Sequence, residues 1–277
     1  MSSTPNLTPI TKIERKNLIE LLNNGKRLDG RGLTDYRRFT IEKNVIEKAN
    51  GSAQIKLGKT KVMVGVKVEI GEPFSDTPDE GVLMVNAELV PLASPTFEPG
   101  PPDENAIELA RVVDRGLRES KALDLKKLCI KEGEKVFIVF VDIYVLDYDG
   151  NLIDASAMAA LTALLTAKIK AYEIKNGELI YRNEFVPLPI QNYPIPVTFV
   201  KINNTLLVDP SIEEERVMDA RLTLTIDKDG KLCAIQKGGL KELTLNEIEK
   251  AVNIAVEKSS ENRNKILEAL NWEEQKR

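Results

Sequence analysis

The sequence contains no histidine. That absence excludes serine and cysteine triads built on imidazole, His-Glu-x-x-His metalloproteases and most zinc enzymes. Any general base must then be a carboxylate, a lysine or a thiolate. Cysteine is scarce as well: Cys129 and Cys233 are the two present, too few and too far apart for a Cys-x-x-Cys redox pair or a four-ligand metal site. Their apolar neighbours Leu128, Ile130, Leu232 and Ala234 lead us to expect two small buried side chains in a reducing compartment. No apolar run reaches the length of a transmembrane helix. The opening residues, MSSTPNLTPITKIERKNL, lack the apolar core of a signal peptide, so a cytoplasmic protein without membrane contact is expected.

What is present is an ordinary globular balance, 42% hydrophobic and 30% charged over 277 residues, enough chain to bury a core without staples. The net charge of −4 argues against a surface that attracts nucleic acid everywhere, while leaving room for a local basic patch.

Residues 1–9 read as a mobile polar tail. Ile13, Asn17, Leu18, Leu21 and Leu22 then fall near one helical face, with Gly25 as a C-terminal stop. Strand patterns follow in YRRFTIE, SAQIKLG, KVMVGVKVEI and GVLMVNAELVPL, punctuated by Gly51, Gly58, Gly71 and Gly81. Pro101-Pro102-Asp103 suits the entrance of a helix over NAIELARVVDRGLRES, whose broad apolar stripe predicts burial on two sides. A long apolar strand, EKVFIVFVDIYVLDY, ends at Asp149-Gly150, and DASAMAALTALLTAKIKA reads as a small-residue helix able to approach a sheet closely. The remainder repeats the grammar: PVTFVKI, TLLVDP, a hairpin turned at Asp229-Gly230, and a final helix opened by the Thr244/Glu247 capping box. Two groups of strands, each followed by helix, indicate an α+β fold.

Three features could carry chemistry. Arg111, Arg115 and Arg118 stand at i, i+4, i+7, a row of guanidiniums able to fork onto successive phosphates; with Glu108, Asp114 and Glu119 nearby, an ion-paired solvated face fits the same spacing. The segment LLVDPSIEEERVMDARLT places Asp209, Glu213, Glu214, Glu215 and Asp219 within eleven residues. Such a run could hold a hard cation, supply a general acid, or form a solvated acidic turn. The Asp149-Gly150-Asn151 turn opens onto a helix N-terminus but has one glycine and no adjacent cation, a poor match to a phosphate loop.

From about residue 26 to the last helix the chain resembles the RNase PH superfamily of phosphate-dependent 3′-to-5′ exoribonucleases, and within it the non-catalytic ring subunits of archaeal exosomes. The likeness rests on RLDGRGLTDYR, GSAQIKLGKTKVMVGVK, FEPGPPDENAIELARVVDRGLRES and LLVDPSIEEERVMDARLT. It implies an RNase PH-like α+β fold of duplicated βαβα halves, with mixed sheets packed on helices. The implied divisions are a tail and helix over 1–25, one domain over 26–265 with halves 26–195 and 196–265, and a helix end and tail over 266–277. Implied partners are a catalytic RNase PH-like subunit, alternating with this chain as three heterodimers in a six-membered ring, S1/KH-type RNA-binding cap subunits, and single-stranded RNA.

The departures bear on activity. Catalytic relatives carry two arginines where this chain has Glu104 and Asn105, and a Gly-Ser/Thr-Arg phosphate cradle where it has Gly150-Asn151-Leu152. A carboxylate repels phosphate and a leucine cannot donate to it. Active members also use two aspartates six residues apart; here Glu213 or a neighbour, then Asp219, fall in that region. The resemblance therefore implies no catalytic residue, metal or cofactor in this chain, with inorganic phosphate and a divalent ion used by the catalytic partner. It assigns Arg111 and Arg115 to RNA. A self-sufficient exonuclease using the acidic run, and a small-molecule enzyme of similar fold, are the alternatives.

Overall fold

The computed structural model describes residues 12–175 and 178–271; the tail over 1–9 lies outside them. The chain begins with α1 (Lys12–Asn23), which Gly25 ends as expected: its φ is +69° and its N–H returns to the Leu22 carbonyl. Strands β1 (Phe39–Lys43), β2 (Gly51–Leu57), β3 (Thr60–Gly71) and β4 (Val82–Leu89) lead to α2 (Glu104–Glu119). After a 3-10 turn come β5 (Cys129–Lys131), β6 (Lys135–Asp147) and α3 (Leu152–Thr166). The hairpin β7 (Lys168–Lys175) and β8 (Glu178–Pro187) separates these from β9 (Ile195–Ile202), β10 (Thr205–Val208), α4 (Ile212–Val217), β11 (Ala220–Ile226), β12 (Leu232–Gly239) and α5 (Leu245–Leu270).

The first sheet runs β1-β2-β3-β6-β4 with β5 on the end of β6; β4 lies parallel to β6 and the other pairs are antiparallel. The second sheet is antiparallel, β10-β9-β11-β12. α3 touches β2 and β3 of one sheet and β9 of the other, while α5 covers β9 and β11. A helix between two sheets has no solvent face, which is why every position from Ile153 to Leu165 is buried and why its composition is alanine-rich rather than amphipathic. Close approach is literal at Gly51: a Cβ there would lie 2.4 Å from the Ala163 carbonyl oxygen. α1 seals the second sheet from outside, packing Leu18 and Leu22 with Val200, Ile202, Leu207 and Val217.

Local signals placed most ends. Asp103 caps α2 by accepting from the Ala106 N–H at 2.8 Å, and Thr244 and Glu247 form the capping box of α5. Asp229-Gly230 turns the β11–β12 hairpin as a three-residue loop, Asp227 pairing with Lys231 and Gly230 taking φ +78°. Two readings require correction. The helix expected through residue 171 stops at Thr166, because from Lys168 the chain alternates in-out and pairs with β8. The cysteines are not fully buried: both are half-buried, and the Cys233 thiol donates to the Thr225 carbonyl at 3.2 Å.

Candidate functional site: an acidic loop, a cleft and an arginine row

The polar string between α1 and β1 and the acidic run around α4 are distant in sequence and meet in space. Arg27 donates from Nε to Glu214 Oε1 at 2.8 Å and to the Val208 and Asp209 carbonyls, both at 2.8 Å. The Arg27 and Glu214 side chains are 0% and 3% exposed. Arg37 grips Asp209 through its backbone N–H, Nε and Nη2 at 2.8, 3.0 and 2.7 Å, and Arg31 adds a bond to Asp209 Oδ2 at 2.9 Å. Burial alone would raise the Asp209 pKa; the hydrogen bonds from Arg37 and the charges of Arg37 and Arg31 outweigh it and hold the group below the usual carboxylate range. Asp209 itself sits at φ +49°, a left-handed conformation that aspartate tolerates better than most residues. The acidic run is thus neither a solvated turn nor a cation loop. Two of its buried members, Asp209 and Glu214, are neutralised by arginines supplied from 180 or so residues upstream, a pairing invisible to local spacing.

The other members diverge. Glu213 is exposed and accepts from the Ser211 hydroxyl at 2.9 Å. Asp219 is buried on the α1 side, ion-paired to Arg15 at 3.1 Å and Lys241 at 3.0 Å, and bonded by the Asn203 N–H. Burial would raise its pKa, but these partners lower it. Glu213 and Asp219 therefore do not converge as an acid pair, and neither lines the cleft described next.

That cleft, of about 480 Å³ including open solvent, lies between the start of α2, the start of α3 and the second sheet. Gly150 brings its walls together: φ is +87°, and a Cβ would lie 2.5 Å from the Pro210 carbonyl oxygen. Asn151 caps α3 from a left-handed conformation. Its backbone N–H donates into the cleft, to Glu215 Oε1 at 2.8 Å, while the Tyr148 hydroxyl donates to Glu215 Oε2 at 2.6 Å. Burial raises the Glu215 pKa, and these two donors together with Arg221 and Arg37 only partly offset it. Burial, followed by the charge of Glu215, lifts Tyr148 well above the usual phenol value. Beneath the cap lies Asp154, fully buried, which accepts from Tyr36 at 2.7 Å, Asn151 Nδ2 at 2.9 Å, and the Thr198 N–H and hydroxyl at 3.0 and 2.8 Å. Burial pushes its pKa up, and four donors pull it back to about 6.

Asn105 and Leu152 both line this cleft, whereas Glu104 is exposed on the first turn of α2. Among the cleft-lining residues Arg221 is the single cation, set against the carboxylates Glu108 and Glu215. Its guanidinium is engaged by Glu108 at 2.7 Å. The walls thus carry two carboxylates and one paired arginine, an unfavourable field for an incoming phosphate. Among the described residues no group of three or more Asp, Glu or Cys is arranged to hold a metal ion.

The three arginines of α2 behave differently from one another. Arg118 is tied down, bonded to Asp114 Oδ1 at 2.7 Å and to the Leu83 carbonyl at 3.0 Å. Arg111 is exposed and makes no hydrogen bond or ion pair with another described residue. Arg115 is exposed with one long contact, to Gln236 Oε1 at 3.4 Å. The row is therefore neither wholly ion-paired nor wholly free: two of its guanidiniums keep most of their donors for an external acceptor.

The sequence and fold of this chain are similar to those of known proteins. The description "3′ exoribonuclease family, domain 1" fits residues 35–170 and "3′ exoribonuclease family, domain 2" fits residues 192–258. The chain is 55% identical over 263 residues to the exosome complex component Rrp42 of Thermococcus kodakarensis, covering 94% of this chain and 97% of that protein. It is 51% identical over 250 residues to the protein of that name from Methanothermobacter thermautotrophicus, covering 90% and 92%. Among solved structures, a chain of the Archaeoglobus fulgidus exosome with RNA bound to the active site superposes with a TM-score of 0.85 at 53% identity, over 91% of this chain and 97% of that one. A chain of an archaeal exosome core superposes with a TM-score of 0.81 at 48% identity, over 92% and 96%. With both domain descriptions matched and relatives above half identity along nearly their whole length, the chain belongs to the RNase PH-type 3′ exoribonuclease family and has its fold.

Proposed function

We propose that this chain is a non-catalytic ring subunit of an exosome core, the phosphate-dependent 3′-to-5′ RNA-degrading and tailing complex, and that it contacts RNA through Arg111 and Arg115. The observation that carries the reading is the state of the α3 entrance. The N–H of Asn151 already has a carboxylate on it, Glu215, at 2.8 Å. Phosphorolysis brings an anionic phosphate against an anionic backbone, so its transition state needs convergent donors and positive charge. Here the Asn151 N–H and the Tyr148 hydroxyl are occupied by an internal anion, Leu152 and Asn105 contribute no charge, and Arg221 is held by Glu108. Asp219, bound by Arg15 and Lys241 with a lowered pKa, is unsuited to giving up a proton near neutral pH.

The homologous exosome proteins support membership of an exosome core; in our reading the chain assembles there with a catalytic RNase PH-like subunit as three alternating heterodimers, and with RNA-binding cap subunits. Phosphate and a divalent ion would then be used by the partner, and this chain would hold no cofactor. No helix among the described residues is long and apolar enough to cross a membrane, and a cytoplasmic location fits this role. In this reading Arg111 and Arg115 face the RNA path beside the partner's site and complete its grip on backbone phosphates. The test is the assembled ring carrying Arg111→Ala and Arg115→Ala together. We expect an intact ring, weaker binding of single-stranded RNA, and a slope of log affinity against log salt reduced by about 1.4, or about 0.7 for each phosphate no longer neutralised. An intact mutant ring with wild-type affinity and salt slope would overturn the assignment.

A further inference from the structure

α2 runs past the edge of the second sheet with Glu108 and Arg115 facing β12, and between them stands Gln236. Its Oε1 accepts from Arg115 Nη1 at 3.4 Å, and its Nε2 donates to Glu108 Oε1 at 3.4 Å. Glu108 Oε1 in turn accepts from Arg221 Nη2 at 2.7 Å. The order is cation, amide, carboxylate, cation. An amide is the neutral side chain that offers an acceptor to one neighbour and a donor to the other in one plane. A carboxylate at 236 would face Glu108 with like charge, and a cation would face Arg115.

The far end of the chain is anchored. The Arg221 side chain is 9% exposed and that of Glu108 21%. The guanidinium lies over the bare backbone of Gly238, where a Cβ would stand 3.3 Å from Nη2 and 3.4 Å from Nε. The α2 backbone is equally close to this sheet, since a Cβ on Gly116 would meet the Thr225 methyl at 3.3 Å. Arg111, one turn before Arg115, has no such support among the described residues.

We propose that Gln236 is a positioning residue for Arg115: through Glu108 and Arg221 it ties the direction of one RNA-facing guanidinium to the second sheet. This rests on the RNA-contact reading above. Long arginine side chains lose rotamer freedom on binding, and a guanidinium already held toward its target loses less. Gln236 touches no phosphate itself and acts only through Arg115.

The test uses the ring assembled with its catalytic partner and a single-stranded RNA, in four forms: wild type, Gln236→Leu, Arg115→Ala, and both changes together. Leucine keeps the bulk at 236 and removes the amide. We expect Q236L to weaken binding about threefold with the salt slope unchanged, because Arg115 still reaches its phosphate. R115A should weaken it about tenfold and lower the slope by about 0.7. The double variant should bind as R115A does, because a residue that acts through Arg115 has nothing left to position. A threefold loss in both backgrounds would mean a general structural role and overturn the inference. So would a weakened R115A ring beside an unchanged Q236L ring, which leaves the RNA-contact reading standing. An R115A ring that binds like wild type would overturn that reading and this inference together.

Discussion

If Glu215 is an internal anion lodged at the α3 entrance, replacing it with alanine should turn the site into one that accepts a small carboxylate from solution. In the native chain the carboxylate satisfies two buried donors, the Asn151 N–H at 2.8 Å and the Tyr148 hydroxyl at 2.6 Å. Orphaning a buried donor costs about 1–3 kcal/mol each. Against this, the variant no longer buries a carboxylate whose pKa is raised by burial, which returns part of the loss. We expect Glu215→Ala to be less stable by about 2–4 kcal/mol. Acetate has the shape of the missing group. If it binds the vacated position with a dissociation constant of about 10 mM, then 100 mM acetate restores about 1.4 kcal/mol by mass action. The assay is urea unfolding at pH 7 in acetate and in chloride at equal ionic strength. The variant's midpoint should rise in acetate, and the wild type, already filled, should not respond. Equal midpoints for the variant in the two salts, or an equal rise in the wild type, would refute the assignment of Glu215 as the occupant of that entrance.

Other consequences follow from the buried charges. Arg27→Met should destabilise by about 3–5 kcal/mol, because Glu214 is left buried without its counter-charge; R27M combined with E214L should recover most of the loss in urea unfolding, and an unrecovered double variant would show that the backbone bonds to Val208 and Asp209 dominate. Asp154 has a folded pKa of about 6 against an ordinary 3.8, so between those values the native state holds more protons than the unfolded one. Its contribution to stability is therefore full below about pH 4 and lost as pH rises through about 6, a change of about 3 kcal/mol. Wild-type unfolding free energy followed from pH 4 to pH 7 should contain this fall, and Asp154→Asn should lack it; the same slope in the variant would assign the effect to another group.

Much of the fold was legible because its signals are local. The apolar stripe of α2, its Asp103 cap, the Thr244/Glu247 box and the Asp229-Gly230 turn each lie within a few residues and each formed. The β7–β8 hairpin was missed because AKIKA continues a helix-favouring composition past Thr166. The signal that could have found it is the Asn176-Gly177 dipeptide between two alternating runs, two residues outside those described. The site was legible only in outline. Glu213, Glu214 and Glu215 are one residue type in succession, yet one is exposed, one is buried on Arg27 and one faces Tyr148 and Asn151. What separates them is the arrival of Arg27 and of the α3 entrance from remote parts of the chain, which no local pattern records. The arginine row was read correctly as a row, but Asp114 and Leu83 on one side and Gln236 on the other distinguish its members.

On the reading proposed above, this chain organises a phosphorolytic ring without performing phosphorolysis. The most direct measurement is phosphate-dependent release of labelled nucleoside diphosphate from a single-stranded RNA, made with this chain alone, the catalytic partner alone and the two mixed, with ring mass determined in each. No release is expected from this chain alone, and strong release from the high-mass mixed ring. Robust phosphate-dependent release by this chain without a partner would contradict it.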